Sequence, residues 1–260
     1  MTALLAVLVG LVGLAVGSFL NVVVHRVPRD ESLLRPRSHC PACGAGIRAR
    51  DEIPVVSWLL LRGKCRDCGA RISIRYPVVE LLTGLLFALL VVRFGPSWVL
   101  PAYLYLAAVG VALAAIDLDT KRLPDRLTLP SYPVAVVLLG VAALAGDSAG
   151  DLVRALLGML ALGGAYFLLA FIYPAGMGLG DVKLAGVLGL YLAFLSWGAL
   201  VVGFAAGFLL GGFYAVTLLL AGRAGRKTGI PFGPFMIAGA FVAVFFGAPL
   251  AGAYNSAWGL

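Results

Sequence analysis

Residues 184–221 form one uninterrupted apolar run of 38 residues with no charged side chain. A helix needs about 20 residues to cross the hydrocarbon of a bilayer, so this run is long enough for two crossings. The turn between them is expected near Ser196-Trp197-Gly198. Similar runs recur almost to the last residue. The chain is 62% hydrophobic and only 12% charged, where a soluble domain would be about 25% charged. A transmembrane β-barrel would alternate with period two, and these runs are continuous. The expected fold is all-α and polytopic, with about eight transmembrane helices.

The spans are placed near residues 3–25, 77–93, 97–116, 129–146, 152–173, 182–197, 199–221 and 233–254. The N-terminus is apolar at once, without the basic segment of a cleaved signal peptide, so 3–25 reads as a retained first helix. Three parts are expected: the first helix at 1–25, a cytoplasmic cysteine-containing loop at 26–76, and a seven-helix membrane core at 77–260. The span 199–221 is rich in glycine (Gly203, Gly207, Gly211, Gly212), which lets membrane helices approach closely.

Charge sets the orientation. The segment 26–76 holds eleven Lys and Arg; the loop 117–128 adds Lys121, Arg122 and Arg126, the segment 174–183 adds Lys183, and 222–230 adds Arg223, Arg226 and Lys227. With eight spans these four segments share one side. The other side has Arg93 and Arg154. The positive-inside rule puts the basic side in the cytoplasm and both termini outside. The net charge of +8 is therefore read as topology and attraction to anionic lipid. No interleaved basic and aromatic stripe points to nucleic acid.

The loop 26–76 carries Cys40-Pro41-Ala42-Cys43 and Cys65-Arg66-Asp67-Cys68, with 21 residues between the pairs. Two such knuckles read as a four-thiolate zinc site built from Cys40, Cys43, Cys65 and Cys68. The competing reading, two disulfides, fits poorly with a reducing cytoplasm. About 50 residues rarely build an adequate core alone, so the metal's expected role is structural. Arg62, Lys64, Arg66 and Arg71 are near enough in sequence to offset its charge. The apolar segment 53–61 is too short to span. It either lies at the membrane interface or packs under the metal.

Two acids stand at the edges of apolar runs: Asp117, in Ile116-Asp117-Leu118-Asp119, and Asp181, in Gly178-Leu179-Gly180-Asp181. An ionisable group at membrane depth is costly and marks a candidate functional site. The helix count places both on the cytoplasmic side. Peptide hydrolysis needs one carboxylate to deprotonate water and one acid to protonate the departing amine. Gly178 and Gly180 would let backbone approach a substrate. Other roles stay open from the residues alone. Asp181 is also well placed to cap a helix, Asp117 suits an ion or proton site, and Asp119 and Asp125 suit solvated loop positions.

Gly17-Ser18-Phe19-Leu20-Asn21 with His25-Arg26-Val27-Pro28, Ser57-Trp58-Leu59, the stretch Arg71 to Glu80, and Pro231-Phe232-Gly233-Pro234-Phe235, taken with Asp117 and Gly178–Asp181, resemble the type IV prepilin peptidases. These are integral-membrane aspartyl proteases of the GxGD class. The resemblance covers nearly the whole chain. It implies Asp117 and Asp181 as catalytic acids, with Asp119 the alternative for the first. It implies Gly178, Gly180, Lys183 and Glu80 as substrate-facing or supporting residues. The implied substrates are prepilins or pseudopilins in the bacterial inner membrane, cut on the cytoplasmic side after a Gly that follows a short basic leader. The four-cysteine form of the family also implies N-methylation of the new terminus with S-adenosylmethionine. No G-x-G-x-x-G fingerprint supports a methyl-donor site directly. Glu80 is compatible with a donor pocket, the catalytic cavity, snorkelling, or pairing with Arg75. His25 and His39 read as loop residues. Rival readings are a presenilin-type or signal-peptide-peptidase-type GxGD protease, whose first acid follows Tyr rather than Ile, and a transporter or non-catalytic scaffold.

Overall fold

The computed structural model describes residues 2–146, 149–174, 176–222 and 230–258. Arg223, Arg226 and Lys227 lie outside the described residues. Among the described residues the chain is helical, with no strand beyond two isolated β-bridges. The helices are α1 (Thr2–Arg26), α2 (Val56–Leu60), α3 (Arg75–Phe94), α4 (Leu100–Thr120), α5 (Asp125–Ala145), α6 (Ala149–Ile172), α7 (Leu179–Leu195), α8 (Trp197–Leu220) and α9 (Gly233–Trp258). In hydrocarbon every backbone polar group must be satisfied internally, which a helix does within one segment. Six helices (α1, α3, α4, α5, α6 and α8) are long and apolar enough to cross a membrane. With α7, of 17 residues, and α9, they coincide with the eight expected segments.

The chain divides into two compact units, Met1–Ala115 and Ile116–Leu260. In the first unit α1 packs along α3. The approach is close because Gly17 has no side chain: a methyl there would lie 2.6 Å from Glu80 Cα. Buried Asn21 donates to the Tyr76 carbonyl at 3.1 Å, tying α1 to the entry of α3.

The second unit is built on α7. Leu184 to Phe194 are all buried, and the helix packs against α5, α6, α8 and α9. A helix that is apolar on every side belongs inside a bundle. Its C-terminal carbonyls are capped by Arg154 of α6, whose guanidinium donates to Ala193 O at 2.6 Å and Phe194 O at 2.5 Å. A cation here also meets the negative end of the helix dipole. The chain reverses at Ser196, whose Oγ accepts the Ala199 N–H at 2.9 Å and starts α8.

Candidate active site and metal centre

Asp117 lies in the last turn of α4 and is buried, at 4% exposure. Its carboxylate Oδ2 accepts the backbone N–H of Gly233, at the start of α9, at 3.0 Å. A methyl on Gly233 would sit 2.9 Å from that oxygen, so only glycine leaves room. Asp119, two positions along the same helix, is exposed. Two residues turn a helix by about 200°, which carries Asp119 to the opposite face.

Asp181 is in the first turn of α7 and is half-buried. Its Oδ2 accepts the N–H of Gly178, the N-cap residue, at 3.1 Å. This is half of a capping box. The reciprocal half is impossible because Gly178 has no side chain. The capping role left open by the sequence is therefore present, with one carboxylate oxygen outside that bond.

The structure brings the surroundings of both acids to Leu123. A methyl on Gly180 would meet Leu123 Cβ at 3.1 Å, and one on Gly233 would meet Leu123 Cδ2 at 3.3 Å. The two carboxylates interact electrostatically. Tyr166 of α6 also lies in the field of Asp181. It is buried, and its ring packs 6.3 Å from that of Phe232, the residue before Gly233. Gly233 and Tyr166 were not singled out from sequence. The Pro231–Phe235 motif was a signal for the first; a tyrosine inside an apolar run gave none for the second.

The other expected residues fall as follows. Lys183 pairs with Asp125 at 2.7 and 2.8 Å, on the surface, so Asp125 is not simply a solvated acid. Glu80 is in the other unit, buried on α3, where its Oε2 accepts the Val55 N–H at 2.7 Å. Val55 has φ 62° and ψ −50°, and Val56 N donates to Pro54 O at 2.6 Å. That is a γ-turn in its rare, strained form, centred on a β-branched residue and held by a buried carboxylate. Trp58 packs over Gly63 and donates to Ile72 O at 3.3 Å. The segment 53–61 thus folds into the loop as the five-residue helix α2.

The sulfurs of Cys40, Cys43, Cys65 and Cys68 all lie within 4.8 Å of one another. Cys40 and Cys68 Sγ are 3.8 Å apart. Four thiolates at about 2.3 Å around a tetrahedral zinc stand about 3.8 Å apart, so the donor set fits. The two knuckles repeat one design. Gly44 N donates to Cys40 O at 2.8 Å and Gly69 N to Cys65 O at 3.0 Å, with φ +73° and +72°. The left-handed turn is where glycine costs no strain. The Cys43 and Ala42 amides hold the Cys40 thiol down to about 7. Cys68, although the Ala70 amide pulls it down, is pushed up to about 12 by hydrogen bonding with the other thiols. Arg66 makes a bidentate bond to Asp51, at 2.6 and 2.9 Å, and holds that carboxyl below its usual range. Arg48 pairs with Asp67 at 2.8 Å. These bonds clamp the second knuckle to the segment between the pairs.

Comparison with known proteins gives this arrangement a family. The profile of the type IV leader peptidase family matches residues 102–216, and that of the bacterial peptidase A24 N-terminal domain matches residues 11–94. The chain belongs to the type IV leader peptidase family. It is similar to the prepilin leader peptidase/N-methyltransferase of Aeromonas hydrophila, at 39% identity over 92% of this chain and 90% of that protein. It is also similar to the proteins of that name from Myxococcus xanthus (strain DK1622), at 42% identity over 86% and 67%, and Neisseria gonorrhoeae, at 42% over 71% and 73%. No solved structure matches the chain. The two profiles divide the chain much as its two compact units do.

Proposed function

We propose that this family member is an inner-membrane aspartyl endopeptidase that removes the basic leader from prepilins and pseudopilins, cutting after Gly, and then N-methylates the new terminus. The relatives' shared name supports both activities. The peptidase reading is supported by two carboxylates near enough to influence each other, each accepting a backbone amide, with Leu123 packed against both Gly180 and Gly233 beside them. Asp117 and Asp181 are the catalytic acids. Two adjacent carboxyls do not readily ionise together, so the pair holds one proton between them. The ionised member takes a proton from water as its oxygen bonds to the scissile carbonyl carbon. The protonated member gives its proton to the departing amine as the C–N bond breaks. The pair ends with its proton count unchanged. Gly178 presents its amide to Asp181, and Gly180 lets Leu123 pack close beside that acid.

The positive charge of the loops supports a cytoplasmic setting for this chemistry, where a leader preceding a membrane helix is exposed. Zinc held by Cys40, Cys43, Cys65 and Cys68 staples the loop and takes no part in hydrolysis. Methylation calls on S-adenosylmethionine, which when bound supplies an electrophilic methyl to the free amine. Asp117→Asn and Asp181→Asn test the peptidase reading. Each is expected to lower leader removal at least about 100-fold in purified protein with unchanged melting behaviour. Near-normal cleavage by either variant refutes the dyad.

A further inference from the structure

The first unit contains a cavity of about 420 Å³ where the end of α1 meets the loop 26–76. Phe19, Ile47 and Ala49 line it with Arg26, Arg37 and Glu52. Arg26 is the unusual member. It is a buried cation, 8% exposed, and its Nη1 and Nη2 donate to the carbonyls of Ser32 and Pro36 at 2.7 and 2.6 Å. Its partners among the described residues include no carboxylate. Neutral carbonyls do not cancel a charge, and a guanidinium has five N–H donors. A buried cation of this kind calls for a counter-anion. In the lining of the same cavity Glu52 offers the opposite charge. The segment after Glu52 is fixed by the strained turn at Val55 that Glu80 holds.

We propose that this cavity is the binding site of the methyl donor, S-adenosylmethionine. This rests on the N-methyltransferase reading above. The donor's amino-acid end is a zwitterion whose carboxylate meets Arg26 and Arg37. Its ribose hydroxyls or cationic groups face Glu52, and its purine lies against Phe19 and Ile47. The volume falls within the range of about 300–1,000 Å³ of small-molecule sites. The charge asymmetry that puts the loop in the cytoplasm puts the cavity where the donor is found. An anionic lipid headgroup would also satisfy Arg26, but Glu52 would repel it.

The test uses the full zinc-loaded chain in nanodiscs of phosphatidylcholine, with equilibrium binding of S-adenosylhomocysteine and radiolabelled S-adenosylmethionine. Stoichiometric binding is expected. Glu52→Gln, and Ala49→Trp, which fills the cavity, should each weaken it at least about tenfold at unchanged zinc content and melting temperature; both variants keep the buried Arg26. Adding phosphatidylglycerol should leave binding unchanged. Wild-type affinity in both variants overturns the proposal. So does loss of donor binding when phosphatidylglycerol is added, which assigns the cavity to lipid. Labelling of a pre-cleaved pilin by the wild-type protein separates the two readings. If label is transferred but the variants bind normally, the site assignment fails and the enzyme stands. If the wild-type protein neither binds nor labels, both fail.

Discussion

Replacing Gly233 by Ala places a methyl 2.9 Å from Asp117 Oδ2 and 3.3 Å from Leu123 Cδ2. Ordinary contacts begin near 3.4 Å, so the carboxylate must retreat by about 0.5 Å or α9 must move. A misplacement of about 1 Å at a catalytic group costs about 100-fold, so half of that is about tenfold, or about 1.4 kcal/mol in the barrier. The substitution leaves the Gly233 amide and the charge of Asp117 in place, so the loss should fall on kcat rather than on KM. The assay is leader removal from a prepilin in detergent, followed by mass measurement of the products over time. Gly212→Ala is the control, because a methyl there meets nothing within 4 Å; it should cleave as the parent does. Parent-like kcat in Gly233→Ala would show that Asp117 does not rest against the start of α9 in the working enzyme. An equal loss in Gly212→Ala would mean that any added methyl among these helices slows the enzyme.

Cys40→Ser should lower zinc content measured by atomic emission and expose the loop to trypsin; full metal retention would count against the four-thiolate site. Metal binding must displace thiol protons. Apparent affinity should therefore fall as pH falls, more steeply below about 7, where Cys40 also becomes protonated; a pH-independent affinity in competition with a chelator would contradict this. Arg154→Ala removes the donors at the C-terminus of α7 and should lower stability by about 2 kcal/mol, read as a lower melting temperature with cleavage retained in the cold. An unchanged melting temperature would refute the capping role.

Much of the membrane architecture was legible because its cause is one-dimensional. A crossing helix must be apolar for its whole length, so the positions of the long apolar helices and the reversal at Ser196 follow from the runs. The knuckles were equally legible, since a C-x-x-C turn sets two thiolates within a few residues. The cation–anion pairs Arg66–Asp51 and Lys183–Asp125 were not. Each joins residues whose separation in the chain says nothing of their distance in space. The segment 53–61 was not legible in detail either: folding closes Trp58 over Gly63 while Val56, Leu59 and Leu60 stay exposed.

By itself the sequence determined that this chain is built of long apolar helices fit to cross a membrane and carries four thiols spaced for one metal. Tertiary structure decided which acid of Asp117 and Asp119 is buried, through the rotation of α4 and the amide that α9 presents. It also decided that Glu80, whose role the sequence left open, spends its charge on the Val55 turn. Hydrophobic burial is additive along a chain and so can be read from it. The neighbours of a buried charge are set by packing between distant helices, which no local pattern records.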